Sequence, residues 1–376
     1  MKKNIIFFHP HFIIPGGAGK VTLELAKRLS KKYNITVITL QILNKYIVAY
    51  PEIKFISLNG PVTSSFKFWL NFFHWQRKLF KILNTTIDSP TTIIASVFPS
   101  NWLVLPYKKT HPQIKTIWYC HEPSAFIHIK KWRQSINNPL KQTIANIFSP
   151  VFSVIDINIT KYADILLANS KFGSSLVSKV YNRIPKIIYP GTDTTKYHPI
   201  QYNQKHNTII TISRLTKFKN IDVLIKASSQ IKNKQTNLII IGDGEEKENL
   251  QKLINRLHIN NKTKILSGLN DSQLINYCAH AKIFILCSKN EPFGIVPVEA
   301  MACGTPVIVD NTGGPKETVI DNVTGKIIDM NSKNLYLTLN LMLADNDLLK
   351  KWSINARKQS LKFDWSRSVS NLTEYL

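Results

Sequence analysis

Acid is what this sequence is short of. Lys and Arg number 49 against 23 Asp and Glu, a formal net charge of +26. The shortage is local. Residues 1–200 hold 7 acids against 26 basic residues, and between residues 53 and 155 the acids are Asp88 and Glu122, beside twelve Lys or Arg. Charge this lopsided argues for an anionic partner: nucleic acid, anionic lipid or a phosphorylated substrate. The chain is rich in Lys, Asn and Ile throughout, which supplies part of the excess but does not explain why acids leave only the first half. Cysteine is scarce too. Cys120, Cys278, Cys287 and Cys303 form no C-x-x-C pair, so reduced thiols of a cytosolic protein are expected rather than a disulfide or zinc framework. No uninterrupted apolar run approaches the ~20 residues that cross a bilayer. The opening Met1-Lys2-Lys3-Asn4-Ile5-Ile6-Phe7-Phe8 has the look of a signal peptide. Its apolar run stops at His9-Pro10-His11 and a glycine turn follows in place of a cleavage site, so it reads as a first buried strand. Low-complexity linkers and short repeats are also missing. What remains is a chain of 376 residues, 44% apolar, sufficient for two domains of ordinary size.

What is present is an alternation. Short β-rich runs at residues 5–8, 35–40, 92–97, 115–119 and 164–168 read as strands, with a helix over 21–29 behind the first glycines. The second half repeats the rhythm, with strands at 208–212, 237–241, 264–266, 283–286 and 307–309 and helices at 222–230 and 245–257. Strands alternating with helices predict an α/β protein with parallel sheets covered on both faces. Two such units meeting near residues 190–200 predict two facing Rossmann-like domains. Their expected extents are residues 1–195 with a C-terminal helix at 364–376, and residues 196–363. Ligand is then expected at the carboxyl ends of the strands, in the cleft between domains.

The chemistry concentrates in Glu291-Pro292-Phe293-Gly294-Ile295-Val296-Pro297-Val298-Glu299. This spacing places Glu291 in a loop after a strand and Glu299 on the following helix. Gly294 between them leaves free amides at a helix N-terminus, a natural anion site. Carboxylates accept from hydroxyls and free amides hold phosphate, a combination suited to a sugar joined to a phosphate. A helix-dipole role for Glu299 is the plain structural alternative. Arg214 and Lys219 follow the first strand of the second half. They are either solvated surface charges or fixed cations for a diphosphate leaving group, where they would stabilise the transition state more than the ground state. The loop Gly16-Gly17-Ala18-Gly19-Lys20 fails two familiar patterns. A Walker A loop would need glycine at Ile14 and Ser or Thr at Val21, and a dinucleotide fingerprint would need glycine at Thr22. Its glycines would let backbone approach a ligand closely, or simply form a turn.

These segments stand in a fixed order with Tyr119-Cys120-His121-Glu122-Pro123, Tyr189-Pro190-Gly191-Thr192-Asp193, Ser213-Arg214-Leu215, and Gly313-Gly314-Pro315 with Glu317. The ordered set, over about residues 5–325, resembles the retaining GT-B glycosyltransferases of family 4, group 1. Within them it resembles mannosyltransferases that extend lipid-linked oligosaccharides. The resemblance implies a GT-B fold and a sugar, mannose favoured, moving from a nucleotide diphosphate to a lipid-linked or polysaccharide acceptor. It implies catalytic roles for His121, Arg214, Lys219 and Glu291. Donor binding falls to Gly16, Gly17, Gly268, Phe293, Gly294, Ile295, Val296, Glu299, Gly314 and Glu317. His9 and His11 could line the same cleft. No metal and no cofactor are expected beyond the co-substrate, GDP-mannose or a UDP-sugar, because the Arg214 and Lys219 pair can replace a divalent ion. No general base is required of the protein, since the leaving phosphate can take the acceptor proton. A UDP-glucose or UDP-N-acetylhexosamine transferase stands as the alternative. From another class, a basic nucleic-acid-binding protein with a degenerate sugar site also stands, although no compact RNA-binding motif is present and nucleic acid is not the expected partner. Residues 65–83 carry many aromatics, Lys67, Arg77, Lys78 and Lys81, and no acid. They read either as an interfacial helix on an anionic membrane or as a helix packed on the sheet with a basic edge. The expected location is cytoplasmic, peripheral on the inner face of the membrane.

Overall fold

The computed structural model describes residues 2–13, 16–87, 91–134, 136 and 138–376. Ile14 and Pro15 of the glycine loop, Asp88, and the side chain of Lys131 lie outside that description. The chain divides into two compact units, Met1–Tyr189 with Ser368–Leu376, and Pro190–Arg367.

The first unit is built on β1 (Asn4–Phe8), β3 (Asn34–Thr39), β5 (Lys54–Ser57), β6 (Thr91–Ser96), β7 (Lys115–Tyr119), β8 (Ile165–Ala168) and β9 (Lys186–Ile187), all parallel, in the order β5-β3-β1-β6-β7-β8-β9. Two short strands, β2 (His11–Phe12) and β4 (Gln41–Ile42), pair beside it. The second unit carries β10 (His206–Ile212), β11 (Asn237–Ile241), β12 (Thr263–Leu266), β13 (Ala281–Leu286), β14 (Val307–Asp310) and β15 (Gly325–Ile328), parallel, in the order β12-β11-β10-β13-β14-β15. The strands are continuous apolar runs such as Ile283-Phe284-Ile285-Leu286, all buried, as a sheet covered on both faces demands.

Each sheet starts inside, runs out to one edge, and returns to the other side of its first strand. The reversal falls between β1 and β6 in the first unit and between β10 and β13 in the second. At such a switch point the loops diverge and leave a crevice at the carboxyl ends. Each unit also has its own core, one around Phe8, Ile93 and Trp118 and one around Ile209, Ile240 and Ile283.

The structure departs from the sequence expectation in three respects. Residues 65–83 are not one helix: Phe66–Leu70 and Phe72–Thr86 are separated at Asn71, whose backbone leaves helical geometry. Phe68, Leu79 and Leu83 are buried, as packing on the sheet requires, while Phe66, Leu70 and Phe73 are exposed. The short strands β5, β9 and β15 carried too little alternation to be read. Helix Pro139–Thr160 was also passed over. By length and composition it could cross a membrane. Gln142, Thr143, Asn146 and Ser149 interrupt the run that a search for continuous apolar sequence requires.

Candidate active site

The second unit gathers most of the expected residues at its switch point. Lys219 ends a short 3-10 turn after β10, and Glu291 lies in the loop after β13. The Lys219 ammonium donates to Glu291 Oε2 at 2.5 Å, and the Ser288 hydroxyl donates to the same oxygen at 2.9 Å. Both members of the ion pair are about one-fifth exposed, so the pair is fixed yet within a ligand's reach. Arg214 sits in the same loop as Lys219. Its backbone is held by Leu215 N–H donating to Asp243 O and Thr216 N–H donating to Arg214 O. Its side chain is exposed and forms no ion pair among the described residues. An uncommitted guanidinium beside a crevice is free to take a phosphate in bidentate fashion.

The turn after Glu291 opens helix Ile295–Ala302. Gly294 caps it at φ +80°, without a side-chain cap and without an acid in the first turn. The amides of Ile295 and Val296 therefore face no capping side chain, and the positive end of the helix is left for an anion. Glu299 is the fifth residue of this helix and only 7% exposed. It lies beyond the first turn, which weakens the helix-dipole account. Burial, and then the negative field of Glu299, push the Tyr197 phenol above its ordinary range.

The loop after β14 closes over the Glu291 turn. Gly314 N–H donates to Glu291 O at 2.8 Å, and Glu317 N–H donates to Gly314 O at 2.9 Å. A Cβ on Gly314 would sit 2.1 Å from Pro292 O, so glycine is the residue that lets these two loops touch. Phe293 is buried beneath them at 2% exposure, 6.2 Å from the Phe363 ring. Gly268 lies apart from this contact, on an exposed turn after β12 with open space around it. Sequence reasoning missed Ser288 and Thr312. Ser288 fixes Glu291, and the Thr312 hydroxyl accepts from Asn290 N–H at 3.0 Å. Neither lies in a spaced pattern, since each acts through one local bond.

The first unit makes a second group at its own switch point. His9 follows β1, Ser96 ends β6 and His121 follows β7. Thr22, on helix Gly17–Leu29, donates to Ser96 Oγ at 3.1 Å, and Ser96 Oγ lies 3.3 Å from His121 Nε2. His121 stacks on Tyr119 with centroids 4.3 Å apart, and His9 packs on Phe12 at 4.7 Å. Burial lowers the His121 pKa to about 3. Burial, then the nearby His121 and His11 imidazoles, lower that of His9 to about 3. Both are neutral hydrogen-bonding groups at physiological pH. The His9 Nδ1 atom is buried without a hydrogen-bond partner, an uncommon state for a native polar group. His11 is half-buried and belongs to the ribbon. Gly16 caps the helix from extended backbone, and no atom lies within 4 Å of where its Cβ would be. Gly17 is the first residue of that helix.

Such a pairing of cations, carboxylates and free amides can hold a sugar diphosphate and offset the charge of its departure. Comparison with known proteins agrees. Residues 193–359 match the model for glycosyl transferases group 1, and residues 15–196 match that for glycosyltransferase family 4. A Campylobacter jejuni transferase, N-acetylgalactosamine-N,N'-diacetylbacillosaminyl-diphospho-undecaprenol 4-alpha-N-acetylgalactosaminyltransferase, is 24% identical over 96% of each chain. The human alpha-1,3/1,6-mannosyltransferase ALG2 is 24% identical over 56% of this chain and 55% of its own length. Anabaena HepE, solved in complex with UDP-glucose, superposes with a TM-score of 0.80 at 22% identity over 99% of this chain and 98% of its own. That likeness shows the GT-B fold. The two family models together run from residue 15 to residue 359, and the chain belongs to the group 1, family 4 glycosyltransferases, enzymes that transfer sugar from nucleotide donors.

Proposed function

We propose that this transferase moves a hexose, mannose first, from a nucleoside diphosphate to a lipid-linked acceptor at the cytoplasmic face of a membrane, with retention of anomeric configuration. The observation that carries the reading is the Lys219–Glu291 pair at the β10/β13 switch point, beside Arg214 and the uncapped start of helix Ile295–Ala302. Arg214 and Lys219 take the diphosphate, and their fixed charge offsets what develops on the leaving oxygens. Glu291 and Glu317 accept from sugar hydroxyls, and Glu299 accepts from the ribose. The backbone at Phe293, Gly294, Ile295, Val296 and Gly314 lines the sugar and phosphate, while Gly268 meets the base. Gly16 and Gly17 leave the backbone of the first unit's glycine loop open to close approach by a ligand. His121, neutral and held by Ser96, and the unpartnered His9 Nδ1 are the polar atoms that the first unit offers to a ligand at its own switch point. Two cations in place of a divalent ion make the reaction metal-independent, so chelator leaves the rate unchanged.

The mannose assignment draws on likeness to mannosyltransferases such as human ALG2. A UDP-N-acetylhexosamine donor is the second reading. It is favoured by a relative that matches over 96% of its length and is named for N-acetylgalactosaminyl transfer to a diphospho-undecaprenol acceptor. Thermal shift with GDP, UDP, ADP and their sugar conjugates separates the donors. Saturation at 100 times the dissociation constant stabilises the fold by about 2.7 kcal/mol. Release of one nucleotide in stoichiometry with a retained glycosidic product supports the assignment. Binding of RNA with no response to any nucleotide sugar refutes it in favour of a nucleic-acid-binding protein.

A further inference from the structure

The longest helix of the first unit is amphipathic with its faces reversed. Helix Pro139–Thr160 turns Ala145, Ser149, Asp156 and Thr160 inward, where all four are buried. Its outward face carries Leu140, Ile144, Ile147, Phe148, Val151 and Val154, recurring at steps of three and four residues along one side, with Ile147 64% and Val154 60% exposed. A soluble surface helix packs its apolar stripe and shows its small and polar side to water. Here the polar side is the anchor. Asp156 accepts from Asn101 Nδ2 at 2.7 Å, Trp102 Nε1 at 2.6 Å and the Tyr181 hydroxyl at 2.7 Å, and it lies 2.8 Å from His128 Nε2. Four partners on one buried carboxylate fix the helix against the fold, so its outer stripe is held in place for a surface to meet.

A seam of aromatic rings runs from the helix through the buried Trp102, 7% exposed. Phe148 stacks on Phe152, Phe152 meets Trp102, and Trp102 meets Trp69 and Phe72, a seam of rings at centroid distances of 5.9–6.3 Å. Phe72 in turn meets Phe73 at 5.5 Å, and Phe66 and Phe73 stand 81% and 69% exposed on helices Phe66–Leu70 and Phe72–Thr86. Exposed Lys67 and Arg77 lie on those two helices, Lys141 on helix Pro139–Thr160 and Lys130 on the short helix Lys130–Gln134, and the sequence holds no acid from residue 123 to 155.

We propose that this surface is a monotopic membrane contact: helix Pro139–Thr160 lies in the plane of an anionic bilayer with its apolar stripe among the acyl chains, flanked by the Phe66–Phe73 tip, while the lysines and arginines meet lipid phosphate. The proposal rests on the membrane-face reading above and names the element that makes the contact. Charge selects this occupant. A second copy of the chain would bring like-charged rims together, which costs energy, whereas anionic lipid attracts each basic residue near the surface. Depth follows from geometry, since an interfacial helix buries its apolar face ~5–10 Å.

Flotation of the full chain tests this with vesicles of phosphatidylcholine alone and with one-third phosphatidylglycerol. The variants are wild type and the triple substitution Ile147→Asn, Val151→Asn, Val154→Asn, which changes apolarity without changing charge. Wild type is expected to float with the anionic vesicles, and the triple variant to partition at least tenfold less, with an unchanged melting temperature and unchanged nucleotide response. Phe148→Trp should then show a blue-shifted emission quenched by brominated acyl chains. Equal flotation of wild type and triple variant overturns the proposal, because binding would be headgroup electrostatics alone. So does a wild-type chain that stays with the unbound fraction at low salt, or a lipid-free dimer that the triple variant abolishes. The nucleotide response separates the claims: retained donor binding with failed flotation sinks this proposal and leaves the transferase reading standing.

Discussion

At the scale of single residues, the account turns on charge placed where charge will appear. Lys219→Met keeps the length of the side chain and removes its ammonium. It is expected to lower kcat by ~10²–10³, the usual cost of losing one transition-state donor, with little change in fold, because the pair is partly solvated. Steady-state kinetics with the cognate donor read this. Exchanging the pair, Lys219→Glu with Glu291→Lys, should not restore the rate, because each group faces the donor as well as its neighbour. A second residue-scale expectation concerns pH. His9 and His121 have pKa values lowered to about 3 in the fold, against ~6.5 when unfolded. The unfolded chain therefore binds more protons below pH 6.5. Stability should be full above that value and fall as pH drops from 6.5 towards 3, by up to about 1.4 kcal/mol per pH unit for each histidine. Melting temperature at pH 7.5 and 5.5 measures the slope, and His9→Asn should flatten it.

At the scale of elements, contacts between loops and helices set the geometry. Gly314→Ala drives a Cβ into Pro292 O and is expected to cost roughly 1–3 kcal/mol in urea unfolding while raising KM for the donor, since the displaced backbone carries Glu291. Asp156→Ala leaves Asn101, Trp102 and Tyr181 without their acceptor. A loss of about 3 kcal/mol or more is expected on the same measurement, as for other broken buried polar networks.

What could be read from the sequence follows from how far each signal extends along it. The strands of the second unit were legible because a doubly covered strand is a continuous apolar run bounded by polar turns. Glu291, Gly294 and Glu299 were legible because one strand–turn–helix joint holds them all. Ser288 and the Ser96 bridge between Thr22 and His121 were not, since each is a single hydrogen bond between residues far apart in sequence or unremarkable in type. The break at Asn71 escaped because residues on both sides have helical composition. The reversed face of helix Pro139–Thr160 escaped for a related reason: periodicity shows an apolar stripe but not which way it points.

At the scale of the whole molecule, the chain is two units, each with its own parallel sheet and core, and a family assignment that spans both. The acid-poor half is the one that carries the exposed apolar helix, while the less basic half carries Arg214, Lys219 and the paired glutamates. The most direct test of the central claim is hydrogen exchange on the full chain with and without saturating nucleoside diphosphates, in wild type and in Lys219→Met. The account predicts that one diphosphate slows exchange at residues 213–219, 291–296 and 313–317 in wild type, and that Lys219→Met weakens this protection. Protection elsewhere in the chain with those three loops unchanged, or none from any nucleotide, would contradict it.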